Sequence, residues 1–203
     1  MIKIFSVFPD RLNLNGDAAN AMVLAKQLAW AGMPHELVIL DSVESINFAV
    51  EEIADGSCKA VVIIGHGSKA ALQSLELARS SLFALATLCR AKHAVGIAVG
   101  SALKLVSSDE IVLVDRLSEF ILADQSDSEW PTQALGYVNT DLDVPPLRVD
   151  GWLIETTLHG PMLSKNSLWV SEIFNKLGVA MSLQKEDLLR TYEAKIWELE
   201  SEH

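Results

Sequence analysis

Five consecutive small or β-branched apolar residues, Ala60-Val61-Val62-Ile63-Ile64, run directly into Gly65-His66-Gly67. A strand with water on one face alternates polar and apolar side chains. An unbroken apolar run needs cover on both faces, and such strands belong to parallel sheets with helices above and below. The surrounding sequence supplies the rest of that architecture. Ile2 to Phe8 is a β-branched and aromatic run stopped by Pro9, which has no amide hydrogen to give a ladder. From Gly16-Asp17 to Gly32 the positions Ala21, Leu24, Ala25, Leu28 and Ala29 recur at helical spacing. Leu37 to Leu40 and His93 to Ala98 read as further strands. Residues 69–91 read as a long helix with a break at Ser80-Ser81.

Strands alternating with helices of this length imply βαβ units, whose ligand chemistry sits in the loops at the carboxyl ends of the strands. Later in the chain, Ile111-Val112-Leu113-Val114 is a short strand, followed by the polar segment ADQSDSEWPTQ as a flexible connection and then by Leu135-Gly136-Tyr137-Val138. Leu153 to Thr156 is a strand leading into Leu158-His159-Gly160-Pro161, and Asn166 to Leu177 is helical. From Lys185 to Glu202, the residues Leu188, Leu189, Tyr192, Ile196 and Leu199 share one helical face. That face is expected to pack on the domain or on a partner. Trp30, Trp152, Trp169 and Trp197 fall at apolar positions, where packing is the ordinary role.

The 203 residues suffice for one well-buried α/β domain and are too few for two ordinary ones. The formal charge of −11 repels phosphate backbones, so no nucleic-acid partner is expected. No run approaches the roughly 18 apolar residues of a membrane span, and the first residues lack the pattern of a signal peptide. Cys58 and Cys89 form neither a metal-type pair nor a disulfide framework. A cytoplasmic protein without metal or cofactor is the expectation.

Two blocks carry a family resemblance. Phe8-Pro9-Asp10-Arg11-Leu12-Asn13-Leu14-Asn15-Gly16-Asp17, followed by Asn20, is similar to an opening of the form YPDxxNxYGDxxN; Leu158-His159-Gly160-Pro161-Met162-Leu163-Ser164-Lys165-Asn166 is similar to YLHGPLLxxN. In order and spacing the chain resembles the class I glutamine amidotransferase domains of the cobyric acid synthase type, and especially the glutaminase subunit of lipid II isoglutaminyl synthase. The resemblance implies a three-layer α/β fold with a mostly parallel, flavodoxin-like sheet over residues 1–180.

In such families a strand-to-helix elbow reads GxCxGxQ, with cysteine as nucleophile and glutamine helping to hold substrate. On this frame the elbow is Gly96-x-Ala98-x-Gly100-x-Ala102, with alanine at both chemical positions. Amide hydrolysis by this route needs a thiolate that forms a thioester and a histidine that takes and returns its proton. Ala98 can do neither, and no useful glutaminase activity is expected. Ser101 lies beyond the apex and reads as a helix-start or packing residue, while Cys89 and Cys58 fall away from the ligand loops and read as buried thiols.

The resemblance places His159 at the family's catalytic histidine and Gly65-His66-Gly67-Ser68-Lys69 at its oxyanion segment. Gly65, His66, Gly67, Gly100, Ser101 and His159 are thus the candidate ligand-binding residues, against the plainer readings of loop packing for the histidine and a solvated loop for the rest. Three functions remain open. The first is a non-catalytic binding or assembly module for a synthetase-like, Mur ligase-like partner. The second is an enzyme with altered, non-thiol chemistry in the same cleft. The third is a glutaminase that uses a different thiol to supply ammonia to a synthetase.

Overall fold

The computed structural model describes residues 1–107 and 110–180, together with positions 187, 190, 191, 194, 195 and 198. The strands are β1 (Ile2–Val7), β2 (His35–Leu40), β3 (Lys59–Ile64), β4 (Val95–Val99), β5 (Leu113–Asp124), β6 (Gln133–Leu142), β7 (Leu147–Asp150), β8 (Leu153–Thr156) and β9 (Leu158–His159). The helices are α1 (Ala19–Trp30), α2 (Val43–Ala54), α3 (Lys69–Ser74), α4 (Arg79–Arg90), α5 (Leu103–Val106), α6 (Met162–Lys165) and α7 (Ser167–Lys176).

Six strands form the main sheet in the order β2-β1-β3-β4-β8-β7. The first five run parallel, and β7 closes one edge antiparallel to β8. The apolar run at 60–64 lies inside the sheet with strands on both sides, as its lack of alternation requires. Its successive residues point to opposite faces and join two separate cores. Ala60, Val62 and Ile64 pack with Ile46, Ala49 and Ile53 of α2 and with Leu82, Leu85 and Ala86 of α4. Val61 and Ile63 pack with Leu24 and Leu28 of α1 and with Trp169, Ile173 and Phe174 of α7. The architecture is therefore three layers, helices on both faces of a mainly parallel sheet.

The long helix expected over residues 69–91 is interrupted earlier than Ser80-Ser81, by a 3₁₀ turn at Glu76–Ala78. Leu75 and Ala78 turn into the core there, and Ser81 sits inside α4 with its hydroxyl donating to Asn47 Oδ1 of α2 at 2.6 Å. A larger difference lies between residues 113 and 142. The expected short strands and flexible connection are a long antiparallel hairpin of β5 and β6, extended by β9 into a second, three-stranded sheet. The polar segment forms the hairpin loop. The Gln125 amide organises it, donating to the carbonyls of Asp127 and Pro131 and accepting from the Asp127 amide.

Trp169 is fully buried and stacks on Trp130 with ring centroids 5.7 Å apart, whereas Trp152 is half-buried and Trp30 is exposed. Trp197 and the apolar face expected at Leu188, Leu189, Tyr192, Ile196 and Leu199 lie outside the described residues. Among the described residues no helix is long and apolar enough to cross a membrane.

Candidate functional site

β3 and β4 end side by side, and each passes into a glycine-bearing turn. After β4, Val99 is extended at φ −114° and Gly100 enters the left-handed region at φ +56° before a 3₁₀ turn over Gly100–Ala102 leads into α5. The apex of this elbow is therefore Gly100. Ala98, expected there, lies two residues earlier within β4, paired with Ile64 on one side and Glu155 on the other and packed in the core beneath α2 and α4. Gly96, the other glycine of the frame, serves packing: a Cβ on it would lie 2.7 Å from Leu153 Cδ1 and 2.8 Å from Cys89 Sγ. Two glycines four residues apart fit the elbow pattern, but only the second makes the turn.

A Cβ at Gly100 would meet His66 Nδ1 at 2.6 Å and His159 Cε1 at 2.7 Å. The point where an elbow side chain would project is thus closed by two histidine rings in edge-to-face contact.

The loop after β3 is held from three directions. Ser101 Oγ donates to the Gly67 carbonyl at 2.8 Å and accepts from the Gly67 amide at 3.0 Å. The Ser101 amide donates to His66 Nδ1 at 3.1 Å, which places the proton of a neutral His66 ring on Nε2. The His66 amide in turn donates to Asp17 Oδ2 at 3.0 Å. Ser101 is thus buried, as expected for a packing residue, but its hydroxyl clamps the Gly65 loop rather than starting a helix. Gly65 is needed for close approach, because a Cβ on it would run into the carbonyl oxygen of Leu12. Stabilising an oxyanion needs backbone donors aimed at open space. The amides of His66, Gly67 and Ser101 are instead satisfied within the protein.

Asp17 and Asn20 join the two distant blocks. Asp17 is fully buried, and its Oδ1 accepts from the Gly160 amide at 2.8 Å while Oδ2 holds His66. Asn20 donates to the carbonyls of Asp17 and Gly160 and accepts from the Leu163 amide at 3.0 Å. His159 is buried against this network. Its Nε2 lies 3.0 Å from the Asn139 carbonyl, which can only accept, so Nε2 carries the proton. Its Nδ1 is buried without a hydrogen-bond partner among the described residues, 3.8 Å from Asp17 Oδ1. Asn166 completes the second block by binding both backbone groups of Leu135 on β6.

A cleft of about 640 Å³ opens above these residues, lined by His66, Gly67, Lys69, Ser101, Lys104 and Arg116 among others. Of the six expected ligand-binding residues, His66, Gly67 and Ser101 reach this cleft, whereas Gly65, Gly100 and His159 lie buried beneath it. Lys69, Lys104 and Arg116 make no ion pair among the described residues. Burial lowers the His66 pKa, the neighbouring His159 adds to this, and Asp17 opposes it. Neither cysteine approaches the cleft. Cys89 sits on α4, where complete burial pushes its thiol up to about 12, and burial likewise raises Cys58, which leads into β3.

Asp17, Asn20 and Asn166 lie within the two resembling blocks, where the resemblance gives them no role. Their signal was there, in short polar side chains flanking apolar helices at the starts of α1 and α7. Arg116 has no such signal, because its approach to the cleft depends on the hairpin, whereas Lys104 reaches it from α5 directly after the elbow. No protein-family model and no curated protein matches the chain.

Proposed function

We propose that this chain is a degenerate relative of the class I glutamine amidotransferases, with a flavodoxin-like sheet, that acts as a binding or assembly module for a synthetase-like, Mur ligase-like partner. The observation that carries the non-catalytic part is Gly100. The turn in which a nucleophile would stand has no side chain, and two histidines occupy the space a side chain would need. The three inward-bonded amides of His66, Gly67 and Ser101 support the same reading, since none of the three is free to donate to an oxyanion. The cleft remains open and is lined by charges of both signs, Lys69, Lys104 and Arg116 beside Glu76, Glu110 and Asp141, as a surface that recognises a ligand or a partner group would be.

Ammonia and glutamate release from glutamine tests the first half of this reading, with the purified protein beside Ala98→Cys and Gly100→Cys variants. The expected result is silence from the native protein and from Ala98→Cys, whose thiol would be buried in the core. Activity in Gly100→Cys alone would identify a disarmed glutaminase, and activity in the native protein would overturn the reading. Purification of the tagged protein from its native cells tests the second half, and absence of an enriched synthetase-like protein counts against it.

A second reading, non-thiol chemistry by His66 and His159 in the same cleft, is favoured by one observation: His159 Nδ1 is buried and unpartnered beside Asp17. It requires His159 to reach a ligand from beneath His66. Loss of ligand turnover in His66→Gln with retention in His159→Gln would sink it.

A further inference from the structure

Of the seven asparagines in the chain, only Asn15 is followed by glycine. The amide nitrogen of the next residue can attack an asparagine side chain and close a five-membered ring, and a glycine puts no Cβ in the way. Asn15 lies half-buried in the turn between β1 and α1, and its side chain makes no hydrogen bond among the described residues. Gly16 stands at φ +79°, with no atom beyond its chain neighbours within 4 Å of where a Cβ would project. Its amide is held only by a long bond of 3.2 Å to the Asn13 carbonyl. The other asparagines are tied down. Asn13, Asn20, Asn47, Asn166 and Asn175 each have the side chain in a hydrogen bond, and Asn139 lies inside β6 ahead of the β-branched Thr140. In the aspartate–glycine pairs, Asp55 accepts from the Ser57 amide and Asp150 from Arg90, and a carboxylate must gain a proton before it can lose water. The opening that residues 8–20 resemble has tyrosine at position 15, so this chemistry belongs to the present chain.

We propose that Asn15 is a self-modification site that disarms the junction beside it. The Gly16 nitrogen attacks Asn15 Cγ, and its proton leaves with the side-chain NH2 as ammonia. Water then opens the succinimide. Breaking the bond from the Gly16 nitrogen to Cγ gives an ordinary aspartate. Breaking the bond to the main-chain carbonyl carbon gives isoaspartate, in which the chain runs through Cβ and Cγ and is one methylene longer. That methylene enters directly ahead of Gly16 and Asp17, whose carboxylate holds the His66 and Gly160 amides at 3.0 and 2.8 Å. The Asn15 carbonyl oxygen also packs near Gly160, 3.6 Å from where a Cβ on it would stand. Hydrogen bonds weaken steeply once distance and angle are lost, so the isoaspartate form loosens the join between the two distant blocks, whereas aspartate at position 15 leaves the main chain in place. Each event releases a single ammonia per chain, with or without glutamine, and then stops. The proposal therefore stands apart from any turnover in the cleft and from any partner bound there.

The full chain is aged folded in mildly alkaline buffer without glutamine, beside Asn15→Gln and Asn15→Asp. Peptide mapping by mass spectrometry follows each asparagine, an isoaspartyl-specific methyltransferase counts isoaspartate, and released ammonia is measured. The expected results are conversion at Asn15 ahead of every other asparagine, ammonia rising in step with it to no more than one equivalent per chain, and loss of both in Asn15→Gln, whose side chain would have to close a six-membered ring. The isolated isoaspartate fraction should melt below the native protein, and Asn15→Asp should melt with it. Conversion at Asn139 or Asn166 before Asn15, or ammonia release that Asn15→Gln leaves unchanged, overturns the site. An isoaspartate fraction that melts with the native protein overturns its link to Asp17.

Discussion

The rings of His66 and His159 meet edge to face, with centroids 4.7 Å apart and planes at 80°, and both border the bare Cα of Gly100. The two histidines, one from the loop after β3 and one from β9, lie more than ninety residues apart in sequence, yet each fills room that a side chain at the elbow would occupy. That arrangement makes glycine a requirement of the site in two ways, through the positive φ and through the space.

Gly100→Ala is accordingly expected to destabilise the protein. A methyl group at φ +56° costs about 1–2 kcal/mol in backbone strain, and forcing the two rings apart adds about 1–3 kcal/mol. Denaturant unfolding followed by tryptophan fluorescence measures the sum. A change below about 0.5 kcal/mol would mean that the rings yield freely, contrary to their packing.

Asp17→Ala is expected to cost about 3 kcal/mol, because it leaves the buried amides of His66 and Gly160 without acceptors. Asp17→Asn keeps one acceptor oxygen and should fall between the two. Equal melting temperatures for all three proteins would show that the carboxylate does not hold these loops together.

Neither thiol should react in the folded protein. Cys89 is fully buried with its pKa pushed up to about 12, and Cys58 is buried and shifted in the same direction. Reactivity follows the thiolate, so alkylation counted by mass spectrometry at pH 8 should modify both cysteines in denaturant and neither in its absence. Rapid modification of native Cys89 would revive the reading of a glutaminase with a displaced nucleophile.

Acid should loosen the site through His66. Its pKa is lowered on folding from the ordinary 6.5, so below pH 6.5 the unfolded chain binds a proton that the folded one resists. The contribution is fully present above pH 6.5 and is lost as pH falls from there through the lowered pKa. His66→Gln should therefore show a shallower decline of melting temperature between pH 7 and pH 5 than the native protein. Identical slopes would remove His66 from the account.

The parallel sheet was readable because an apolar run without alternation has few other uses, and both Ala60 to Ile64 and the strand ending in Val99 are of this kind. The length of β5 beyond the short strand expected at 111–114 was hidden for the opposite reason. Most of its side chains face solvent, so no core imposes a period of two on Leu113 to Glu119, and the strand exists through its pairing with β6. The site was legible in its components and misread in its frame. Gly96 and Gly100 both satisfied the elbow pattern, and the distinction between them lies in φ and in the Cys89 and Leu153 atoms packed on Gly96, neither of which leaves a mark on sequence. Ser101 is a candidate from sequence, but its clamp on Gly67 is not legible there, because a hydroxyl one residue past a turn gives no hint of which loop it will hold.

The bonds from Asp17 to Gly160 and from Asn20 to Leu163 each span 143 residues. Contacts of that separation are closed only after a large loop has been ordered, which places them among the slowest to form. A nascent chain that has emerged only as far as α4 can already pair β1, β2 and β3, yet it cannot contain the site at all. The contact of His66 with His159 can form only in molecules that have completed the circuit between their first helix and the segment after β8, so an intact pair would itself certify a finished fold.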